Sequence, residues 1–119
     1  VDPDVVRLLK GCLASRRPMG FVCVAPILAA RVLGPVAGVR VTLGSRTSPE
    51  AKHAAIMGAD VRPCPPDDVV LDKKNRVVST PAYMYDDAPL PVVANAIDKL
   101  VRMTLGFAVD RSPAPPAAG

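Results

Sequence analysis

Three side chains of this sequence can act as sulfur nucleophiles, Cys12, Cys23 and Cys64, and each stands in a different setting. Cys23 lies in the run Phe21-Val-Cys-Val24, preceded by Gly20 and followed closely by Pro26. An apolar run without alternation suits a strand covered on both faces, as in a parallel sheet. Pro26 suits the first turn of a helix, where its missing N–H is no loss. Ile27 to Leu33 extend that helix, and Gly34 is its expected stop. Cys23 is therefore expected at a strand-to-helix elbow, facing a helix N-terminus. Unpaired N–H groups and the helix dipole favour a thiolate in such a place. An elbow of this type exposes a reactive side chain at the edge of a sheet. The competing reading is an inert core cysteine, the common state of a cysteine among apolar neighbours.

The remaining candidates read as structural. Cys12 falls on the apolar face of a helix, and Cys64 sits between Pro63 and Pro65 in a stiff turn. His53, the single histidine, is placed on a short helix among alanines and reads as an exposed or partly packed residue. Asp67 and Asp68 are adjacent in a loop, where neighbouring carboxylates seldom converge, so they read as solvated or capping. Three cysteines without a CxxC spacing support neither a zinc site nor a disulfide framework. No metal and no cofactor is expected, and a reducing compartment, cytoplasm or mitochondrial matrix, is the simpler setting. Both tyrosines, Tyr83 and Tyr85, fall in one loop, which suggests a site wall.

Composition bounds the rest. A chain of 119 residues is one domain or less. Half of it is hydrophobic but only 3% is aromatic, so the core must be built from Val, Leu, Ile and Ala. The net charge of +4 is spread thinly, with Arg16-Arg17 and Lys73-Lys74 as the adjacent basic pairs. Scattered charge and few aromatics argue against nucleic-acid binding and for a solvated basic surface. No apolar run reaches the ~18 residues that span a bilayer. No leader is expected either, since Val1-Asp2-Pro3-Asp4 passes directly into a helix.

The elements that must position Cys23 follow from periodicity. A first helix is expected from Asp2 or Pro3 to about Arg16, with Val5, Val6, Leu8, Leu9, Cys12 and Leu13 on its apolar side. After the elbow helix, 35–38 form a turn and Val39-Arg-Val-Thr-Leu43 alternates as a strand. Ser48 caps a short helix opened by Pro49 and ended by Gly58. Residues 59–62 start another strand, and 69–72 with 76–80 read as a hairpin extending one edge of the sheet. A last helix runs from about Pro91 to Leu105 with Gly106 as its stop. Residues 110–119, rich in Pro and Ala, cannot bury a core and read as a disordered tail. Such alternation argues for an α/β sheet with helices on both faces. Ligands of these sheets bind at the carboxyl ends of strands, where Cys23 falls.

Several stretches resemble the ElbB-type proteins of the PfpI-like branch of the class I glutamine amidotransferase-like superfamily. They are Gly20-Phe-Val-Cys-Val-Ala-Pro26, Met57-Gly-Ala59, Cys64-Pro65, Asp67-Asp68-Val-Val70, Val77-Val-Ser-Thr-Pro-Ala-Tyr-Met84 and Ile97-Asp-Lys-Leu-Val101. The resemblance implies a flavodoxin-like three-layer sandwich with a mostly parallel sheet, and a nucleophilic cysteine at the elbow, here Cys23. It implies a glutathione-independent glyoxalase or a deglycase-like role on small dicarbonyls. Val24 and Ala25 at the helix start would then serve the oxyanion, and Tyr83 the substrate wall.

The resemblance covers only the C-terminal half of such proteins, so residues 1–109 are expected to be part of a domain whose N-terminal strands are absent. The glutamate that contacts the cysteine in the wider superfamily is absent with them. Ser45 stands where many superfamily members carry a histidine, which speaks against ammonia delivery from glutamine. The alternative is a non-catalytic, amidotransferase-like subunit that binds a protein partner. In either case the sheet is expected to be completed by the N-terminal half, by a second chain, or within a homo-oligomer, because an open apolar sheet edge invites association.

Overall fold

A computed structural model describes residues 1–109. The segment 110–119, for which a tail was expected, lies outside the described residues. Asp2 caps α1 (Pro3–Ala14) by accepting the Asp4 N–H at 2.7 Å. There follow β1 (Met19–Val22), α2 (Pro26–Ala37), β2 (Arg40–Val41), α3 (Pro49–Ile56), β3 (Asp60–Val61), β4 (Val70–Asp72) and β5 (Val77–Thr80). A 3-10 turn at Ala82–Met84 leads to α4 (Leu90–Val109). The alternation read from the sequence is present, and Ser48 caps α3 through the Ala51 N–H.

The strands form a three-stranded sheet in the order β1-β5-β4 and a β2-β3 pair. β1 pairs β5 in parallel, Met19 opposite Val77 and Val22 opposite Thr80, while β4 pairs β5 antiparallel. β2 and β3 are parallel. Side chains tie β2 to the larger sheet: the Arg40 N–H donates to Asp72 Oδ2 at 2.8 Å, and the Thr42 N–H to Ser79 Oγ at 3.0 Å.

Helices cover both faces. Met19 and Phe21 of β1 point into a core with Leu9 of α1, Ala29 and Leu33 of α2, Val41 and Val77. Gly20 belongs to the opposite side of the pleat, where a Cβ would lie 2.8 Å from Leu100 Cδ2 of α4. The core is built of Val, Leu and Ala with one Met and one Phe, in keeping with the scarcity of aromatics.

The hairpin extends one edge of the three-stranded sheet, as expected: β4 is the end strand, and β5, with Val77, Val78, Ser79 and Thr80 all buried, lies between it and β1. Two expectations are corrected. α2 does not stop at Gly34 but runs on to Ala37, with Gly38 as its left-handed cap at φ 59°. Pro35 is tolerated there because it lies exposed in the final turn. α4 likewise continues through Gly106, and Arg76 holds its last turn by donating to the Phe107 carbonyl at 2.8 Å. Finally, β1 has β5 on one side and, among the described residues, no strand on the other.

Candidate functional site

β1 ends at Val22, and the chain turns through Cys23 in the left-handed region, φ 63°. A non-glycine residue with that φ stores strain of roughly 1–2 kcal/mol, and such strain gathers at functional turns. The Cys23 N–H continues the parallel ladder by donating to the Thr80 carbonyl at 3.1 Å. The Ala25 N–H closes the turn onto the Val22 carbonyl at 3.1 Å, and Pro26 opens α2. A half-buried thiol is thus held between the end of a strand and the start of a helix.

The amides of that helix start are largely engaged. The Ile27 N–H donates to the Val24 carbonyl at 3.0 Å and the Leu28 N–H to the Ala25 carbonyl at 2.9 Å. Pro26 has no N–H. The Val24 N–H is therefore the donor of this turn that no backbone carbonyl among the described residues takes up. Of the residues singled out for the oxyanion, Val24 keeps an open amide and an exposed side chain, whereas Ala25 packs against the core.

The neighbouring strand makes a second bend. β5 ends at Thr80, and Ala82, fully buried, also has a positive φ of 45°. It leads into the 3-10 turn that carries Tyr83, whose side chain is 51% exposed, just beyond the residue that accepts from Cys23. Tyr85 anchors this turn. Its hydroxyl donates to the Cys64 carbonyl at 2.7 Å, and its ring lies against Gly44, where a Cβ would approach it to 3.0 Å. Thr80 Oγ1 donates to the Asp68 carbonyl at 2.8 Å, and Lys99 pairs with Asp68 at 2.7 Å. Thr80, Ala82 and Tyr85 were not singled out for these positions. Their signal was present in the Thr-Pro-Ala-Tyr stretch, but partners distant in sequence give them their roles.

Burial, then the nearby Asp68 and Asp67 carboxylates, push the Cys64 thiol up to about 12, which keeps it protonated and unreactive. The hydrogen bond from Lys99 holds Asp68 below the usual carboxylate range, and the same pair raises Lys99. His53 is exposed on α3, and Ser45 is spent locally, accepting the Thr47 N–H at 3.0 Å. No acid or histidine is hydrogen-bonded to Cys23 among the described residues, nor is there a group of three or more His, Cys, Asp or Glu fit to hold a metal ion. A hollow of about 570 Å³ lies away from Cys23, near the start of β2 and β3. Its lining carboxylates are occupied, Asp60 by Arg40 and Arg62, Asp72 by the Arg40 and Asn75 amides. No helix among the described residues is long and apolar enough to cross a membrane.

No family model matches the chain. It is 35% identical over 113 residues to the human "Glutamine amidotransferase-like class 1 domain-containing protein 3, mitochondrial", covering 88% of this chain and 41% of that one. It is 31% identical to the rat "ES1 protein homolog, mitochondrial" with the same coverage. Among solved structures, an isoprenoid biosynthesis protein with amidotransferase-like domain from Ehrlichia chaffeensis superposes with a TM-score of 0.81 at 25% identity, over 89% of this chain and 48% of that one. The fold is thus the flavodoxin-like one of the amidotransferase-like proteins. The chain is homologous to the glutamine amidotransferase-like class 1 domain proteins, the ES1 and ElbB-type group, and spans 41% of the length of the human and rat relatives.

Proposed function

We propose that Cys23 is the nucleophile of a glyoxalase or deglycase-like activity that acts on small dicarbonyls without glutathione. The observation that carries this reading is the left-handed Cys23 at the carboxyl end of β1, with the open Val24 amide beside it. The sulfur adds to the aldehyde carbon and forms a hemithioacetal, whose oxyanion the Val24 N–H can meet. A base then takes the carbon-bound proton, and a proton is returned at the neighbouring carbon, which leaves an acyl thioester on Cys23. Water cleaves the thioester to a 2-hydroxy acid and the free thiol. The balance is dicarbonyl plus water to hydroxy acid, with no external oxidant. Tyr83 forms the wall of the site. The mitochondrial names of the relatives support the mitochondrial matrix as the compartment.

The second reading, a non-catalytic module, is favoured by the absence of a hydrogen-bonded base at Cys23 among the described residues. The test is glyoxal consumption and hydroxy-acid formation by the protein and by Cys23→Ser, with circular dichroism to confirm an intact fold. Turnover that vanishes in the variant supports the enzyme. Turnover that survives it removes Cys23 from the mechanism. A folded protein that forms a Cys23 adduct and releases no hydroxy acid supports the module.

A further inference from the structure

The basic pairs Arg16-Arg17 and Lys73-Lys74 lie far apart in the sequence, and the fold brings them together. Arg16 Nη1 donates to the Lys74 carbonyl at 2.6 Å. The meeting point is the amino end of β5, beside the first residues of β2 and β3 and at the opposite end of the strands from Cys23. The hollow of about 570 Å³ opens here, walled by Arg40, Lys73, Lys74 and Asn75, with Leu71 and Ala37 as its apolar part. That size falls among the pockets that take small organic ligands, roughly 300–1,000 Å³.

The turn that carries the two lysines is held in place. Asp72 and Asn75 on either side of it are buried. Asp72 accepts the Asn75 N–H at 3.1 Å, Asn75 Nδ2 at 2.8 Å and the Arg40 N–H at 2.8 Å. Lys73 and Lys74 are exposed and make no ion pair among the described residues. Arg40 spends only its Nε on Asp60, at 2.9 Å, which leaves its two terminal nitrogens free. Asp60 is shared with Arg62. Five cations, Arg16, Arg40, Arg62, Lys73 and Lys74, thus stand against two carboxylates, Asp60 and Asp72. The difference of +3 is most of the chain's net charge of +4. The end of α2 lines the hollow at Ala37 and Gly38. Its dipole brings about half a negative charge, too little to cancel this excess.

We propose that this hollow binds a small organic diphosphate, of the nucleoside diphosphate type, at a site separate from Cys23. The Lys73 and Lys74 ammoniums and the free edge of Arg40 meet the phosphates, and charge-assisted bonds of this kind are the strong ones. The organic group lies against Leu71 and Ala37. Both carboxylates at the hollow already have partners, so the unanswered charge there is positive and selects an anion over a metal ion. A concave wall with an apolar part suits a small molecule better than a flat membrane surface does. The site does not depend on the chemistry at Cys23, because none of its residues touches the elbow.

The test is calorimetric titration of the protein with adenosine diphosphate and with pyrophosphate, at low salt and at an ionic strength of about 0.15 M. Both are expected to bind one-to-one, adenosine diphosphate the more tightly. Lys73→Gln with Lys74→Gln, both exposed on a turn, should weaken both ligands by more than about tenfold with the circular dichroism unchanged. Lys52→Gln, near the start of α3 at the other end of the strands, should leave binding as it was. In the unaltered protein, adenosine diphosphate should protect Lys73 and Lys74 from acylation by an amine-reactive ester, read by mass spectrometry. No binding at millimolar ligand would overturn the proposal. So would equal weakening by Lys52→Gln, which marks diffuse surface charge, or lysines that acylate equally with and without ligand. Binding to vesicles of anionic lipid without binding of either soluble diphosphate would assign the patch to a membrane surface and overturn it as well.

Discussion

Gly34 of α2 and Gly58, just beyond α3, meet backbone to backbone. A Cβ on Gly34 would lie 2.8 Å from the Met57 carbonyl oxygen, and one on Gly58 would lie 2.9 Å from the Gly34 carbonyl oxygen. The contact lets α2 and α3 close over the core, and Gly58 also has a φ of 103°. Gly34→Ala is expected to lose about 1–3 kcal/mol, because a rigid carbonyl cannot move aside as a side chain would. Urea unfolding measures it, and a loss below about 0.5 kcal/mol would contradict the packing.

The left-handed turn at Cys23 makes a second prediction. Cys23→Gly removes the thiol and accommodates the positive φ without strain. It should be more stable than Cys23→Ala by roughly 1 kcal/mol, less whatever the freer unfolded glycine gives back. Equal thermal midpoints for the two variants would show that the turn is not strained.

Tyr85→Phe tests the anchor of the turn that carries Tyr83. The loss of the hydroxyl bond to the Cys64 carbonyl is expected to cost about 1 kcal/mol. It should also speed proteolysis after Tyr83 relative to cleavage in the helices. An unchanged cleavage pattern would place the anchor elsewhere.

The Cys64 thiol gives a prediction about alkaline pH. Its folded pKa, about 12, lies above the free-thiol value, so the folded state favours the protonated form. The corresponding stability is complete below the free-thiol pKa and is lost as pH rises toward 12. Between about pH 8 and 10 the protein should lose stability, and Cys64→Ala should flatten that slope while lowering stability at neutral pH. In the folded protein Cys64 should alkylate far more slowly than after unfolding, as read by mass spectrometry.

The legible features were local ones. Pro26 after an apolar run marked the elbow, Ser48 before Pro49 marked the α3 cap, and the Val77 to Met84 stretch carried the family resemblance. The stops placed at Gly34 and Gly106 missed because a glycine ends a helix only when tertiary contacts do not carry it on. Gly34 is inside α2 because the Met57 carbonyl needs the space, and α4 passes Gly106 under the hold of Arg76.

The sequence by itself determined the order of helices and strands, the aliphatic character of the core and the placement of Cys23 at a strand-to-helix turn, since periodicity and turn chemistry act between near neighbours. Only the tertiary structure decided that β5 lies between β1 and β4, that Thr80 receives the Cys23 amide, and that Val24 rather than Ala25 keeps an open N–H. These depend on which segments meet across the fold, and many pairings of short apolar strands satisfy the same local pattern.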